Sequence, residues 1–274
     1  MDKIRRNERM SAMMKILAAK PNRIFTLSYF CDLFGSAKST MSEDIDILRD
    51  VVAHFGLGEL ETVTGAAGGV RYRTKVRRPE ARKFIGDLCQ QLSEEGRVLP
   101  GGFLYYSDIL STPEIVTRMG EIMATEYYAA APDFVLTMET KGIPVAFATA
   151  NALGVPLVIA RRSSKVYEGS AVNINYVSGS SGHIETMSLS RRAVQEGQKC
   201  LIVDDFLKGG GTAKGLVDLR RECYGDAVGL TFVMATAMPG KKRVMGEKSL
   251  MVMDIDQEHE TVLVKPAFWL NGDA

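Results

Sequence analysis

Five mainly apolar, strand-like runs recur between residues 134 and 255, and segments with helical spacing separate several of them. The runs are FVLTM (134–138), LVIA (157–160), CLIV (200–203), GLTFVMATA (229–237) and SLMVMDI (249–255). GIPVAFATANALG and TAKGLVDLRRECYG are two of the intervening helical segments. A strand that is apolar at every position has both faces buried, which is typical of a parallel sheet covered by helices on both sides. The pattern therefore predicts an α/β fold, and RRPEARKFIGDLCQQLSEEG is the predicted helix that joins it to the preceding part.

Residues 1–75 show three helical patterns and then a two-stranded pattern. In the first, four apolar side chains share one face before Pro21 ends the helix: Met10, Met13, Met14 and Leu17. The second lies in TLSYFCDLFG, with Gly35 as the expected C-terminal cap. The third is predicted to begin after the N-cap Ser36 and to bury one stripe of side chains: Met41, Ile45, Leu48, Val52 and Phe55. ELETVTGAAGGVRYRTK alternates on both sides of a glycine-rich turn, as a β-hairpin does.

This order of helices and ribbon is that of a winged helix-turn-helix domain, whose third helix enters the major groove of DNA. The exposed start of that helix would offer hydroxyl and amide donors to phosphates and base edges from Ser36, Lys38, Ser39 and Thr40. Phosphate contacts are predicted for six basic residues: Arg5, Arg6, Arg9, Arg71, Arg73 and Lys75. Glu43 and Asp44 count against DNA binding unless they face away from the groove. A small helical dimerisation or lid domain is the alternative interpretation.

Charge is spread unevenly along a chain whose net charge is +1. Residues 1–78 hold 14 lysines and arginines against 9 acidic residues, a balance of +5. The other 196 residues hold 20 against 24, a balance of −4. A basic N-terminal part on an acidic body indicates a polyanionic partner for the first part.

Neither membrane nor metal chemistry is indicated by the sequence. No stretch approaches the roughly 18 consecutive apolar residues of a membrane span, and the N-terminus lacks a signal-peptide pattern, so we expect a cytoplasmic protein. The cysteines and histidines are scattered, which favours reduced thiols over disulfides or zinc. They are Cys31, Cys89, Cys200, Cys223, His54, His183 and His259.

The segment LIVDDFLKGGGTAKG (201–215) places two adjacent carboxylates beside a glycine loop at the end of a predicted strand. Ligands of parallel sheets bind at the carboxyl ends of the strands, where bare amides and a helix N-terminus can hold an anion. A phosphate cradle is therefore predicted from Gly209, Gly210, Gly211 and Thr212. Asp204 and Asp205 would repel that phosphate unless they accept hydrogen bonds from hydroxyls or bind a cation. A ribose diol close to a 5′-phosphate meets both demands, so the segment predicts a sugar phosphate ligand.

Other glycine motifs fit this segment less well. A Walker loop, G-x-x-x-x-G-K-[ST], occurs nowhere in the chain. Gly209, Gly211 and Gly215 are one residue out of step with the dinucleotide fingerprint G-x-G-x-x-G. A receiver domain would have the paired aspartates without the triple glycine. An ordinary strand-to-helix turn with surface aspartates remains the structural alternative.

VDDFLKGGGT resembles the phosphoribosyl-pyrophosphate-binding motif of the type I phosphoribosyltransferases. TMETKGIPVAFATA (137–150) resembles the pyrophosphate loop of that fold, and residues 160–192 resemble its flexible hood, a long hairpin. With a winged helix in front, nearly the whole chain resembles the purine-operon repressor family. SAKSTMSEDI, GAAGGVRY and LPGGFLYYSDIL are similar to sequences of that family as well.

The resemblance implies a winged-helix domain at residues 1–75 and a phosphoribosyltransferase-type domain at 76–274, with a parallel sheet, helices on both faces and a hood. It implies a homodimeric DNA-binding regulator, most often a repressor, of purine biosynthesis genes that senses phosphoribosyl pyrophosphate. Beyond the cradle and the acidic pair, it implies effector contacts from Phe206, Lys208, Thr140, Lys141 and Gly142, with Lys165 or Tyr167 from the hood. Mg²⁺ could bridge the ligand oxygens but is not required, and another pyrophosphate-bearing nucleotide could compete for the cradle.

The residue at position 208, Lys208, bears on whether the protein catalyses a reaction of the ligand or only binds it. In working relatives this position, the third after the acidic pair, is commonly an acid or a small hydroxyl residue. An ammonium has no acceptor and is not a base at neutral pH unless strongly desolvated. We therefore expect effector binding without base transfer, and no catalytic residue. There are two rival hypotheses: an active purine phosphoribosyltransferase with an N-terminal accessory domain, and a structural interaction module.

Overall fold

The computed structural model of the chain describes residues 4–65, 68–94, 96–100, 103–163, 169–178, 182–237, 243–256 and 261–271. The chain folds into two compact units. The first comprises Met1–Arg77 with Asn151–Gly154, and the second comprises Arg78–Ala150 with Val155–Ala274.

Helices and a two-stranded ribbon form the N-terminal unit in the predicted order. The elements are α1 (Arg6–Ala18), α2 (Leu27–Phe34), α3 (Lys38–His54), β1 (Glu59–Val63) and β2 (Gly69–Arg73). Strands β1 and β2 pair antiparallel, with Leu60 opposite Tyr72. Phe25 adds an isolated antiparallel bridge to Val70. This is the winged helix-turn-helix arrangement that the sequence predicts.

A single apolar cluster holds these elements together. Its buried members include Met13, Leu17, Phe30, Met41, Ile45, Leu48, Val52, Leu60 and Val70. Two details of α3 differ from the prediction. The N-cap is Ala37 rather than Ser36, because the Ser36 amide donates to the Cys31 carbonyl oxygen and so belongs to the end of α2. Phe55 is 66% exposed rather than buried, because α3 ends at His54 and the helical stripe ends with it.

The second unit alternates helices and strands. Its helices are α4 (Arg78–Leu92), α5 (Ser107–Ser111), α6 (Pro113–Tyr127), α7 (Ile143–Leu153) and α8 (Gly211–Glu222). Its strands are β3 (Val98–Leu99), β4 (Phe103–Leu104), β5 (Phe134–Met138), β6 (Leu157–Ala160), β7 (Ala171–Val177), β8 (Ile184–Ser190), β9 (Lys199–Leu207), β10 (Asp226–Thr236), β11 (Lys248–Asp256) and β12 (Thr261–Pro266). Short 3₁₀ helices span Arg191–Ala193 and Phe268–Leu270.

A six-stranded sheet with the order β12-β11-β10-β9-β5-β6 forms the centre of this unit. All neighbouring strands run parallel except β12, which is antiparallel to β11. The five predicted strands are therefore confirmed, and the sequence missed β12 at the edge. Strand β9 extends beyond the apolar run to Leu207, so the acidic pair belongs to the strand itself.

Strands β7 and β8 form the predicted hood hairpin within the described part of residues 160–192. The hairpin packs on α8 at Gly215, where a Cβ atom would lie 2.7 Å from Met187 Cε and 3.1 Å from Tyr176 Cβ. Over the ranges described, no helix combines the length and apolar character needed to cross a membrane.

Candidate functional site

Strand β9 carries the acidic pair to the carboxyl edge of the sheet, between β5 and β10. Asp204 is buried opposite Phe232 of β10, whereas Asp205 is half-buried. The Asp205 amide donates to Asp204 Oδ1 at 3.0 Å. Strand β10 pairs with β9 as far as Leu207, so the sheet fixes the backbone that carries both carboxyl groups.

Asp204 is in an unfavourable place for a negative charge. Burial, and then the neighbouring Asp205, raise the pKa of the Asp204 carboxyl well above its ordinary value. Within the described ranges, neither Asp204 nor Asp205 takes part in an ion pair. A ligand that offers hydroxyl donors would supply the hydrogen bonds that stabilise these carboxylates.

The glycine loop follows β9 directly and opens α8. Gly210 is the N-cap of α8 and adopts a left-handed conformation, with φ of 75°. A Cβ atom there would lie 3.2 Å from the Arg243 amide nitrogen, which itself donates to the Gly209 carbonyl oxygen at 3.2 Å. The first amide groups of a helix have no partner within the helix and are a ready site for an anion.

The loop between β5 and α7 approaches the acidic pair through Gly142. A Cβ atom at this buried glycine would overlap Asp204 Oδ1 and lie 2.8 Å from Thr137 Oγ1. The side chains of Thr140 and Lys141, just before it, are exposed, and the Glu139–Thr140 peptide bond is cis. The absence of a side chain at position 142 therefore brings two segments together that lie about 60 residues apart in the sequence.

The two loops line one cavity of about 330 Å³, a volume typical of a small-molecule site. The predicted effector residues that line it are Thr140, Lys141, Asp204, Asp205, Phe206, Lys208, Gly209, Gly210, Gly211 and Thr212. Gly142 contributes through its contact with Asp204. Lys165 and Tyr167 lie outside the described residues.

Three polar residues that line this cavity were not predicted from the sequence: Glu139, Arg162 and Tyr176. The Arg162 amide donates to Glu139 Oε1 at 2.7 Å. Tyr176 Oη donates to Glu185 Oε2 at 2.8 Å, and burial together with Glu185 raises the pKa of Tyr176 to about 12. The position of Arg162 just after the LVIA run could have revealed it, because carboxyl ends of parallel strands share one edge.

Tyr106, the residue immediately before α5, also contacts the site. Its Oη donates to Asp205 Oδ2 at 2.7 Å, and Lys141 Nζ lies 5.1 Å from the centre of its ring. Burial, then the charge of Asp205, raises the pKa of the Tyr106 phenol, which therefore keeps its proton. No periodicity or spacing in the sequence pointed to this residue.

A metal ion would find few protein ligands at this edge. Among the described residues, no group of three or more histidine, cysteine, aspartate or glutamate side chains is arranged to hold a metal ion. Two carboxylates alone suit Mg²⁺ only when ligand phosphates complete its coordination. The site fits magnesium as a companion of a phosphorylated ligand.

Of the residues predicted to contact DNA around the start of α3, Lys38, Ser39 and Thr40 lie in its first turn, and Ser36 lies just before the N-cap Ala37. Lys38 and Ser39 are exposed, whereas Ser36 and Thr40 are half-buried. A helix N-terminus with an exposed cation and hydroxyl can contact a phosphate or a base edge.

The basic residues of the ribbon are paired within it. Arg71 Nε and Arg73 Nη1 both lie within 3 Å of Glu61 Oε2, at 2.9 Å and 2.8 Å. The hydrogen bond from Arg71 lowers the pKa of the Glu61 carboxyl. Lys75 pairs with Glu59 at 3.1 Å. The ribbon therefore presents less free positive charge than the sequence suggests.

Arg6 and Arg9 of α1 meet Asp44 of α3. Arg9 is 8% exposed and Asp44 is fully buried, with Arg9 Nη2 and Asp44 Oδ2 at 2.8 Å. Arg6 Nε lies 2.8 Å from Asp44 Oδ1. Asp44 thus faces α1, and Arg9 holds the two helices together instead of lying on the surface. Arg5, at the N-cap of α1, remains exposed.

Two family models match the chain. Residues 5–74 match the N-terminal domain of bacterial purine repressors, and residues 106–267 match the phosphoribosyl transferase domain. The "Probable purine biosynthesis transcriptional regulator PurR" of Streptococcus pneumoniae is 42% identical over 265 residues, which cover 96% of each chain. A purine biosynthesis transcriptional activator of Lactococcus lactis is 39% identical over 251 residues, 92% of this chain and 93% of the relative.

Solved structures resemble the second unit. Adenine phosphoribosyltransferase from Thermoanaerobacter pseudethanolicus aligns with a TM-score of 0.52 and 23% identity, over 61% of this chain and 98% of that enzyme. At this identity the likeness concerns the fold.

Proposed function

The chain belongs to the bacterial purine repressor family of transcription regulators, and on this basis we propose that it senses phosphoribosyl pyrophosphate without catalysing transfer to a base. The relatives include a named repressor of Bacillus subtilis, 43% identical over 228 residues, and the named activator, and we propose repression as the outcome for this chain. A homodimer would suit an operator with two half-sites.

One observation carries the proposal: a buried carboxylate and a glycine-rich helix N-terminus line the same cavity. An anionic ligand alone would be repelled by Asp204 and Asp205, and a neutral diol alone would leave the amides at the start of α8 without an anion. A phosphorylated ribose satisfies both groups at once. The pyrophosphate of the proposed effector adds negative charge toward Lys141, which is exposed and lines the same cavity.

The proposed contacts follow from this placement. Asp204 and Asp205 accept hydrogen bonds from the ribose hydroxyls. The backbone amides and the Thr212 hydroxyl of the segment 209–212 donate hydrogen bonds to the 5′-phosphate. Thr140 and Lys141 contact the pyrophosphate, with Lys165 or Tyr167 from the hood. A magnesium ion, when bound, would neutralise phosphate charge, and the protein residues would orient the sugar.

Lys208 supports sensing over transfer. It is exposed, it lines the cavity and it follows the acidic pair where a catalytic acid or hydroxyl would be expected. A protonated lysine can attract phosphate but cannot accept the proton of a purine base. The protein would therefore hold the activated sugar and leave it intact.

A transferase assay tests this part of the proposal. Purified protein is incubated with phosphoribosyl pyrophosphate, Mg²⁺ and, in turn, adenine, guanine, hypoxanthine and xanthine, and pyrophosphate release is measured. We expect no release above the rate without protein. Turnover in the ordinary enzymatic range of about 1–10³ s⁻¹ with any base would favour the rival transferase function.

Regulation requires that the effector distinguish two states of the protein. If phosphoribosyl pyrophosphate alters operator affinity, then operator DNA must alter affinity for phosphoribosyl pyrophosphate by the same factor. An effector that binds equally well to the free and DNA-bound protein would change nothing. Measuring effector affinity with and without operator DNA therefore checks the same coupling from the opposite side.

A further inference from the structure

Tyr106 contacts an anion and a cation of the proposed effector site at the same time. Its hydroxyl donates to Asp205 Oδ2 at 2.7 Å. Lys141 Nζ lies 5.1 Å from the centre of its ring, within the range of a cation–π interaction. One side chain thus links the loop after β5 to the acidic end of β9.

Both contacts use chemistry that the effector would use. A phenol hydroxyl that donates to a carboxylate is equivalent, at the carboxylate, to a ribose hydroxyl that donates to it. The electron-rich face of the ring interacts with the ammonium that a pyrophosphate would otherwise bind. Burial raises the pKa of the phenol, so Tyr106 remains a donor throughout the physiological range.

We propose that Tyr106 is a built-in competitor of the effector. The Tyr106 hydroxyl occupies, at Asp205, the position that a ribose hydroxyl of the effector would take. This inference rests on the proposed function, since it requires that Asp205 bind a sugar. Binding of the sugar then breaks the Tyr106–Asp205 hydrogen bond and frees the Tyr106 side chain.

The position of Tyr106 in the chain gives its release a consequence. Tyr106 is the N-cap residue of α5. Arg97 holds the same segment on both sides: its Nη1 donates to Asp108 Oδ1 at 2.9 Å, and its carbonyl oxygen accepts from the Tyr105 amide at 2.8 Å. Displacing Tyr106 would therefore shift the β3–β4 hairpin and α5 together, which provides an effector-dependent rearrangement within this unit.

Calorimetric titration of three full-length proteins tests the inference: wild type, Tyr106→Phe and Tyr105→Phe. Tyr106→Phe removes the competing hydroxyl and keeps the ring. Tyr105 is the matched control, because it is the neighbouring tyrosine and its side chain is 45% exposed. We expect Tyr106→Phe to bind phosphoribosyl pyrophosphate about three- to tenfold more tightly than wild type, and Tyr105→Phe to bind as wild type does.

Inorganic pyrophosphate, used as a second probe, isolates the hydroxyl contact. It lacks sugar hydroxyls, so Tyr106→Phe should bind it with unchanged affinity. Equal improvement for both probes, or equal or weaker binding of phosphoribosyl pyrophosphate by Tyr106→Phe, would overturn the competitor role while leaving the proposed function in place. Absence of phosphoribosyl pyrophosphate binding by both wild type and Tyr106→Phe, in proteins that unfold cooperatively, would overturn both proposals.

Discussion

Gly142 lies directly against Asp204, so that a Cβ atom at position 142 would overlap Asp204 Oδ1. We predict that Gly142→Ala pushes the loop after β5 away from the acidic pair and weakens phosphoribosyl pyrophosphate binding at least tenfold. Gly86→Ala in α4 is the control, because a Cβ atom there meets no atom within 4 Å, and a helical alanine stabilises by about 0.5–1 kcal/mol. Calorimetry compares the two variants, and unchanged affinity in Gly142→Ala would show that this close approach is dispensable.

We predict that Asp204, which serves ligand binding, lowers the stability of the folded protein. Its carboxyl has a pKa above the ordinary value, so the folded state binds this proton more tightly than the unfolded state does. The free energy of unfolding therefore falls as the pH rises from the ordinary carboxyl range through the raised pKa of Asp204. Asp204→Asn removes the charge, and we predict about 1–3 kcal/mol of added stability at pH 7.

Urea unfolding at several pH values checks the Asp204 prediction. The advantage of Asp204→Asn should shrink as the pH falls and vanish below about pH 4, where the wild-type carboxyl is protonated in both states. The variant should also lose affinity for phosphoribosyl pyrophosphate. A variant less stable than wild type at pH 7 would mean that the buried carboxylate is stabilised within the protein.

The core strands of the sheet could be predicted because burial on both faces leaves a signal at every position. Phe134–Met138 is buried at all five positions and matches its predicted run residue for residue. Leu157–Ala160 also matches its run, although it is the other edge strand, because all four of its residues are apolar. Strand β12 left no such signal, because its residues from Thr261 to Lys265 alternate between exposed and buried at the sheet edge. The acidic pair and its glycine loop were predictable because they are contiguous in the sequence.

Contacts over long sequence separations escaped prediction. Tyr106 and Asp205 are 99 residues apart, and nothing near either residue indicates the other. Arg9 shows the same difficulty in the N-terminal unit: its charge suggested a surface position, but a buried partner on another helix draws it inward. Composition states which charges are present, and only the packing of helices determines where they point.

The Arg9–Asp44 pair should be a main support of the N-terminal unit. Asp44→Ala leaves the buried Arg9 guanidinium without its counter-charge, and we predict a loss of about 3–5 kcal/mol in the free energy of unfolding of that unit. Asp46→Ala, on the same helix, removes an exposed carboxylate paired with Arg49 and should cost less than about 1 kcal/mol. Chemical denaturation measures both, and similar losses in the two variants would contradict a structural role for the buried pair.

Lys38 should contribute a phosphate contact at the start of α3. Lys38→Ala is predicted to weaken operator binding and to reduce the slope of log affinity against log salt concentration by about 1. Lys15→Ala removes an equal charge from the exposed part of α1 and should leave the slope unchanged. Fluorescence anisotropy at several salt concentrations distinguishes them, and equal slopes for Lys38→Ala and wild type would remove this residue from the DNA interface.

Effector sensing is tested most directly by operator binding with and without phosphoribosyl pyrophosphate, measured for wild type and for Asp204→Ala/Asp205→Ala by anisotropy on DNA upstream of purine biosynthesis genes. We expect the effector to shift the wild-type midpoint by at least fivefold, and we expect the double variant to bind the same DNA with near wild-type affinity and to show no shift. Identical wild-type midpoints with and without saturating effector, or an undiminished shift in the double variant, would contradict effector sensing through the acidic pair.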